Sequence, residues 1–351
     1  MADNSDREGL ILGLGNPLLD MTIAANEEFL KKYDLKPNDA ILAEEKHMPL
    51  YQEMVDKFEV DYSAGGATMN VLQVAQWIIG KPYTTVFMGC IGRDFFSNVL
   101  EDRAKEKGVI GRFQYDSEKS TGTCAVVLTN NGANRSLCAN LAAANCFTID
   151  HLKKEENFKF VEMAKIYYIS GFFLTVSPDS ILEVANYALS KNRLFIMNLS
   201  APFICQAFKE QMMAAFPYID ILFGNECEAA AFGKAQNMDI TDLKELALMM
   251  SNLPKKNTNR SRIIIITQGG SPAIVAKDGC VQEYPVPQLP PEKIVDTNGA
   301  GDAFVGGFLA KLVCNKPIET CMRSAFYTAT HVIQRVGCTC VGTPDKEILQ
   351  D

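Results

Sequence analysis

Short apolar runs of strand length alternate with longer segments of helical period along most of this chain, and no other feature restricts its fold as strongly. The runs Leu10 to Leu14, Thr85 to Met88, Lys165 to Ile169, Leu194 to Asn198, Ile219 to Phe223 and Ile263 to Thr267 read as strands. Ala67 to Ile79, Phe95 to Lys107, Pro178 to Ser190 and Asp242 to Leu253 read as the helices between them. Strands separated by helices can pair side by side only through crossover connections, which gives an α/β fold with a mostly parallel, Rossmann-type central sheet flanked by helices. The run Ile263-Ile264-Ile265-Ile266 has no polar alternation, so both of its faces are expected to be covered, as in a central strand.

Two stretches break this rhythm. Residues 20–64 and 118–142 carry alternating apolar residues and turn signals such as Asn130-Asn131-Gly132, the pattern of antiparallel hairpins. The expected organisation is a large α/β catalytic domain of residues 1–19, 65–117 and 143–351, with a small β-rich lid formed by residues 20–64 and 118–142.

Composition narrows the function classes. A chain of 351 residues with 47% hydrophobic and 22% charged residues can bury a sizeable core, so disorder is not expected. The formal net charge of −8, with no dense block of Lys or Arg, argues against nucleic acid as a partner. The nearest basic candidates, Lys153-Lys154 and Lys255-Lys256, read as solvated surface pairs. The opening MADNSDREG lacks the basic start and apolar stretch of a signal peptide, and no apolar run is long enough to cross a bilayer. The 11 cysteines are odd in number and lie in apolar segments (Cys90, Cys124, Cys205, Cys314), which suits reduced, buried thiols. A cytoplasmic protein is expected, with the nucleus also open, and without a membrane partner. Cys338-x-Cys340 has no second pair, and His47, His151 and His331 are scattered, so a zinc site is not expected.

The strongest local signal for chemistry is Asp296-Thr297-Asn298-Gly299-Ala300-Gly301-Asp302, followed by the apolar segment Ala303 to Leu312. Small residues permit a tight turn and close approach to a ligand, and a helix starting there directs unpaired N–H groups and its positive dipole end forward. The turn reads as an anion hole. Asp302, in the first helical turn, can face the same anion and accept a proton from an attacking hydroxyl; alternatively it caps the helix. The two glycines ahead of it and the small-residue helix behind it favour the catalytic use. Other phosphate motifs are missing. Leu18 occupies the third glycine position after Gly13-x-Gly15, and no G-x-x-x-x-G-K-[ST] occurs.

With this D-T-x-G-A-G-D run the chain resembles the ribokinase-like (phosphofructokinase-B) carbohydrate kinases. The early family motif, a Gly-Gly pair before a helix, is matched by Gly65-Gly66-Ala67-Thr68-Met69-Asn70. Gly15-Asn16-Pro17-Leu18-Leu19-Asp20, Gly171-Phe172-Phe173-Leu174-Thr175 and Gly224-Asn225-Glu226-Cys227-Glu228 are similar to the branch that phosphorylates adenosine. The resemblance covers nearly the whole chain. It implies transfer of the γ-phosphate of ATP to the adenosine 5′-hydroxyl, giving AMP and ADP.

The resemblance also implies roles for individual residues. Asp302 would be the base, with the backbone amides of Asn298, Gly299, Ala300 and Gly301 and the side chain of Arg135 stabilising the phosphoryl charge. Asp20, the Gly65-Gly66 pair and Asn70 would hold the ribose hydroxyls. Asn16 would fix the nucleoside, and Phe172 would stack on adenine with Leu18 and Leu42 beside it. Taken alone, Leu18 and Leu42 would read as core. Asn225 and Glu228 match the family's magnesium-associated motif, serving Mg²⁺ directly or through water. A helix cap would explain Asn225 but leave Glu228 without a use. Thr267-Gln268-Gly269-Gly270 would contribute Thr267 and Gly269 to the ATP site, although its glycines also suit a plain hairpin turn. In some relatives a monovalent cation such as K⁺ lies behind the anion hole, which here falls near Asp296 and Cys338. A monomer is expected.

Overall fold

Parallel pairing follows from the spacing of the strands, and the computed structural model, which describes residues 8–132 and 134–350, shows where it holds and where it stops. Residues 1–7, on which the reading of the N-terminus rests, lie outside the described residues. In chain order the strands are β1 (Ile11–Leu14), β2 (Leu18–Ala24), β3 (Asp39–Leu42), β4 (Asp61–Gly65), β5 (Thr85–Ile91), β6 (Ile110–Tyr115) and β7 (Thr123–Thr129). They continue with β8 (Asn134–Asn140), β9 (Ile166–Ser170), β10 (Leu194–Asn198), β11 (Ile221–Asn225), β12 (Ile263–Gln268), β13 (Ser271–Lys277) and β14 (Cys280–Tyr284). The chain divides into two units. One comprises the segment up to Gly15 with Thr148–Gln288, the other Asn16–Phe147 with the segment from Leu289 onward.

In the first unit the strand order is β14-β13-β12-β11-β10-β9-β1. Strands β1, β9, β10, β11 and β12 are parallel, and β13 and β14 add on antiparallel. Ile264, Ile265 and Ile266 are buried as their apolar run requires. Their strand is not the middle one, however: it marks the change from parallel to antiparallel pairing, because Gly269 and Gly270 turn the chain straight back into β13. The β13–β14 hairpin turns at Asp278-Gly279, whose positive φ angles of 53° and 75° are those a tight two-residue turn demands. The helix Pro178–Ser190 buries Ile181, Val184, Ala185 and Ala188, the spacing of one helical face.

The amino ends of these parallel strands are held by buried charge. Asp220, just before β11, accepts hydrogen bonds from Lys255 at 2.7 Å and from Arg260 Nε at 2.8 Å. Lys255 is therefore not the solvated surface residue its sequence neighbourhood suggested. Arg262, just before β12, is 1% exposed and donates to the carbonyls of Phe216, Ile219, Met250, Leu253 and Pro254. Its guanidinium also lies 4.3 Å from the centre of the Phe216 ring. Desolvation pushes the Arg262 pKa down to about 10, which still leaves it charged at neutral pH.

The second unit contains a five-stranded sheet ordered β3-β8-β7-β2-β4. Here β7–β8 and β2–β4 are antiparallel, whereas β2–β7 and β3–β8 are parallel. Residues 20–64 are thus not a run of hairpins, because the helices Glu27–Lys32 and Met48–Lys57 separate their strands. The first is started by Asn26, whose side chain accepts from Phe29 N–H at 3.0 Å, with Glu27 and Glu28 in its first turn and Lys31 and Lys32 in its last. Its Phe29 and Leu30 pack with Leu50 and Met54 against Met21, Ile23, Ala125 and Val127 on one sheet face. Leu18, Cys124, Val126 and Leu128 pack with Ala144 on the other. Strands β5 and β6 pair in parallel around the helix Phe95–Glu106. Cys90, Cys124 and Cys205 are buried, but Cys314, beyond the end of its helix, is exposed.

Replacing Arg262 with Ala leaves several buried carbonyls without donors, so Arg262→Ala is expected to lower unfolding free energy by about 3 kcal/mol or more. Urea denaturation monitored by circular dichroism measures this directly; a loss below about 1 kcal/mol would show that the carbonyls find other partners.

Candidate active site

The helix Ala300–Leu312 begins at Gly299, where φ is +74° and no side chain caps the end. A Cβ at Gly299 would lie 2.6 Å from Cys338 Cβ, so conformation and space both require glycine. The first ladder bond runs from Ala303 N–H to Gly299 C=O at 2.8 Å, and the Gly301 and Asp302 amides lie ahead of it. Asn298 N–H instead donates to Asp296 Oδ1 at 2.7 Å, and Ala300 N–H donates to Thr297 C=O at 3.3 Å. Those two amides, expected to face an anion, already have partners. Fully buried Asp296 also accepts from Gly337 N–H at 2.8 Å, which ties the turn to a distant segment.

Glycines inside the helix let its neighbours close in. A Cβ at Gly306 would stand 2.7 Å from Val71 C=O, and one at Gly307 would stand 2.3 Å from Thr328 Oγ1. The Thr328 hydroxyl donates to Ala303 C=O at 2.6 Å. The helix is thereby wedged between Ala67–Ile79 and Ile318–Val332. These contacts escaped the sequence reading, although paired glycines within a helical pattern are a signal of close packing.

Asp302 is the third residue of its helix, and its Oδ2 accepts from Asn70 Nδ2 at 2.9 Å. It caps nothing. Asn70 belongs to the helix Ala67–Ile79, which begins at Gly66 with φ of +94°, also without a side-chain cap. Added carbons would collide on both sides: 2.1 Å from Asn16 C=O at Gly66, and 2.1 Å from Asp20 Oδ2 at Gly65. The β2–β4 pairing places Leu18 opposite Gly65 and Asp20 opposite Ser63. Asn16, Asp20, Gly65, Gly66, Asn70 and Asp302 therefore gather at two uncapped helix starts.

Desolvation pushes both carboxyls upward, Asp20 to about 8 and Asp302 to about 6. Asp20 is raised further by the negative charges of Asp302 and Asp296, whereas Asn70 and Arg135 pull Asp302 back down. Both residues keep partial contact with solvent, and the upward direction reflects the dense protein around their carboxyl groups. Asn16 is 6% exposed, and its Oδ1 has no hydrogen-bond partner among the described residues. Leu18 lies in the sheet core, Leu42 ends β3 half-buried, and Arg135 sits on β8 opposite Leu128.

In the other unit, candidate residues line the carboxyl ends of parallel strands, where α/β sheets present ligand groups. Phe172 follows β9 in a short 3-10 helix, half-buried and tilted against Phe203 at 6.2 Å. Asn225 ends β11 directly opposite Thr267 of β12, and Gly269 forms the following turn with φ of +56°. Asn225 and Glu228 form a capping box: Asn225 Oδ1 accepts from Glu228 N–H at 2.8 Å, and Glu228 Oε2 accepts from Asn225 N–H at 2.9 Å. Asn225 Nδ2 donates to Glu228 Oε1 as well, at 2.9 Å. This corrects the expectation that a cap leaves Glu228 without a use. Both carboxylate oxygens are engaged in these bonds, so the pair fits Mg²⁺ bound through water better than direct ligation. A monovalent cation fits less well near Asp296 and Cys338. Both Asp296 oxygens accept backbone N–H groups, and burial and the nearby carboxylates keep the Cys338 thiol neutral.

The geometry on hand is two uncapped helix starts with a carboxylate in the first turn of one, and comparison with known proteins gives the family. Residues 27–345 match the pfkB family of carbohydrate kinases, and the chain belongs to that family. Adenosine kinases are among its relatives. It is 51% identical over 345 residues to adenosine kinase 2 of Arabidopsis thaliana, covering 98% of this chain and 99% of that protein. Identity to adenosine kinase of Schizosaccharomyces pombe is 45% over 330 residues, covering 94% and 96%. Anopheles gambiae adenosine kinase in complex with P1,P4-di(adenosine-5) tetraphosphate superposes with a TM-score of 0.94 at 49% identity, covering 97% of this chain and 99% of that one. Adenosine kinase from Schistosoma mansoni in complex with adenosine in an occluded loop conformation gives 0.91 at 35% identity, covering 95% and 98%. The fold is the ribokinase-like α/β fold, with a mixed, mostly parallel central sheet flanked by helices.

Because Asp20 binds its proton more tightly in the folded chain than in the unfolded one, its ionisation works against folding as pH rises from about 4 to about 8. Asp20→Asn is therefore expected to raise the melting temperature at pH 8 and to change it little near pH 4. Scanning calorimetry of both proteins at the two pH values tests this; an equal shift at both would remove the carboxyl's ionisation as the cause.

Proposed function

We propose that this chain transfers the γ-phosphate of ATP to the 5′-hydroxyl of adenosine, with Asp302 as the proton acceptor and the Gly299–Gly301 turn as the anion site. The activity is that of an adenosine kinase. The observation that carries this reading is the Asp302 carboxylate, which sits in the first turn of a helix it does not cap and is held there by Asn70. A residue placed for stability would satisfy the helix end. Asp302 is instead free to take a proton.

In the proposed reaction the 5′-oxygen forms a bond to the γ-phosphorus as its proton passes to Asp302, and the bond from that phosphorus to the bridging oxygen breaks, releasing ADP. Gly299, Ala300 and Gly301 frame the turn; the amides ahead of the helical ladder and the Arg135 guanidinium stabilise charge on the transferred group. Asn298 shapes the turn from within. Asp20, the Gly65-Gly66 backbone and Asn70 receive the ribose hydroxyls, and the unpaired Asn16 Oδ1 is an acceptor for a nucleoside donor. Phe172 is assigned to stack on the base, and Leu18 and Leu42 are assigned to give it apolar surface. Asn225, Glu228, Thr267 and Gly269 serve the ATP side. Mg²⁺, when bound with ATP near Asn225 and Glu228, would neutralise phosphate charge. We assign residues 20–64 and 118–142 as a lid carrying Asp20, Leu42 and Arg135. The protein is proposed to act as a monomer in the cytoplasm or the nucleus.

A free sugar is the competing acceptor class, and it would leave the Phe172 ring without a base to stack on. The reading predicts efficient turnover of adenosine and little or none of ribose. It further predicts a specificity constant for 2′-deoxyadenosine about tenfold lower, because losing one hydroxyl leaves a ribose-facing polar group unpaired at a cost of roughly 1 to 3 kcal/mol. A coupled assay for ADP on the three acceptors decides. Preference for ribose would overturn the nucleoside reading, and equal constants for the two nucleosides would overturn the ribose assignment.

A further inference from the structure

The turn from Asp296 to Gly301 is supported from behind by a segment that no part of the proposed reaction uses. Gly337 N–H donates to Asp296 Oδ2 at 2.8 Å, and Cys338 Sγ lies 3.7 Å from Gly299 C=O. Cys338 fills the space directly against Gly299, since a Cβ there would come within 2.6 Å of Cys338 Cβ and 3.1 Å of its Sγ. Whatever moves residues 337–338 therefore moves the turn. A few residues further on, the same segment is pinned to two helices. Trp77 Nε1–H, on the helix Ala67–Ile79, donates to Gly342 C=O at 2.7 Å. Val341 N–H points to His331 Nε2 at 3.4 Å, and Asp345 N–H donates to Tyr327 Oη at 3.0 Å, both on the helix Ile318–Val332. The three rings form one cluster: Trp77 stacks on Tyr327 at 6.1 Å, and His331 is tilted against both, 4.7 Å from Trp77 and 6.1 Å from Tyr327.

These are the two helices that clasp Ala300–Leu312 through Gly306 and Gly307. The first of them also carries Asn70, the partner of Asp302. Trp77 stands seven residues beyond Asn70, which is two helical turns along the same face. One helix thus holds the carboxylate at its start and, two turns later, the strap that backs the neighbouring turn.

We propose that Trp77 is a positioning residue for phosphoryl transfer: by holding the 337–342 strap to its helix, it keeps Gly337 and Cys338 against the Asp296–Gly301 turn and so fixes the amides of the anion site relative to Asp302. The inference rests on the reading of that turn as the anion site. That reading assigns Trp77 to neither substrate, so its effect belongs in turnover and not in nucleoside binding. A small displacement of catalytic groups is enough to slow a reaction by an order of magnitude or more.

Trp77→Phe keeps an aromatic ring in the cluster and removes the donor to Gly342 along with part of the indole. Cys338→Ala keeps the Cβ but removes the Sγ that contacts Gly299 C=O, at the other end of the strap. Each is expected to lower kcat about tenfold while adenosine KM stays within about twofold, and the double variant is expected to be little slower than either single one, since both cut one mechanical path. Melting temperature measured on the same preparations separates positioning from simple loss of fold. If Trp77→Phe leaves kcat unchanged, or if the two losses multiply in the double variant, the strap does not position the turn. Turnover of adenosine by the wild-type protein in the same assay tests the kinase reading independently. The two failures are therefore distinct.

Discussion

One side-chain hydrogen bond, from Asn70 to Asp302 across 232 positions of sequence, joins two helices at their starts, and the rest of the site is arranged around it. Each helix begins at a glycine with positive φ and with no side chain over its end. Uncapped starts leave amides and the positive end of the dipole directed outward. The structure gives up the stabilisation a Ser or Asp cap would contribute, about 1 kcal/mol per helix. In the proposed reading, what is gained is room for an anion with a carboxylate placed beside it.

Holding carboxyl groups in such surroundings works against stability, as the upward shifts of Asp20 and Asp302 show. The compensation lies elsewhere in the chain. Close helix contacts through Gly306 and Gly307 and the buried bonds of Asp296 stiffen the second unit. In the first unit, Asp220 and Arg262 bind the amino ends of strands whose carboxyl ends carry Asn225 and Thr267. Structural charge and candidate ligand groups thus occupy opposite ends of the same strands, so the fully bonded end can be rigid while the other stays available.

Much of this was legible in the sequence. Strand-length apolar runs separated by helical segments gave the parallel sheet, and the two glycine-bearing motifs marked both helix starts. What escaped depended on contacts between distant positions. Glu228 looked surplus to a cap until the reciprocal bond to Asn225 N–H appeared, although Asn-x-x-Glu is the spacing of a capping box. Residues 20–64 were read as hairpins because strand signals outweighed Asn26-Glu27-Glu28 and Lys31-Lys32, which mark a helix start and end. The use of Asn298 N–H and Ala300 N–H within the turn, and the seat of Cys338 beneath Gly299, had no local signal at all.

The central claim is that Asp302 takes the proton of the attacking hydroxyl. Asn at this position keeps size and can still pair with Asn70, but it cannot accept a proton at neutral pH. The most direct measurement is single-turnover phosphoryl transfer by Asp302→Asn, with adenosine affinity measured on the same preparation. The account predicts a rate about 10² to 10⁴ lower with affinity largely retained. A variant that keeps more than about a tenth of the wild-type rate would contradict it, and would leave Asp302 as a residue that only shapes the start of its helix.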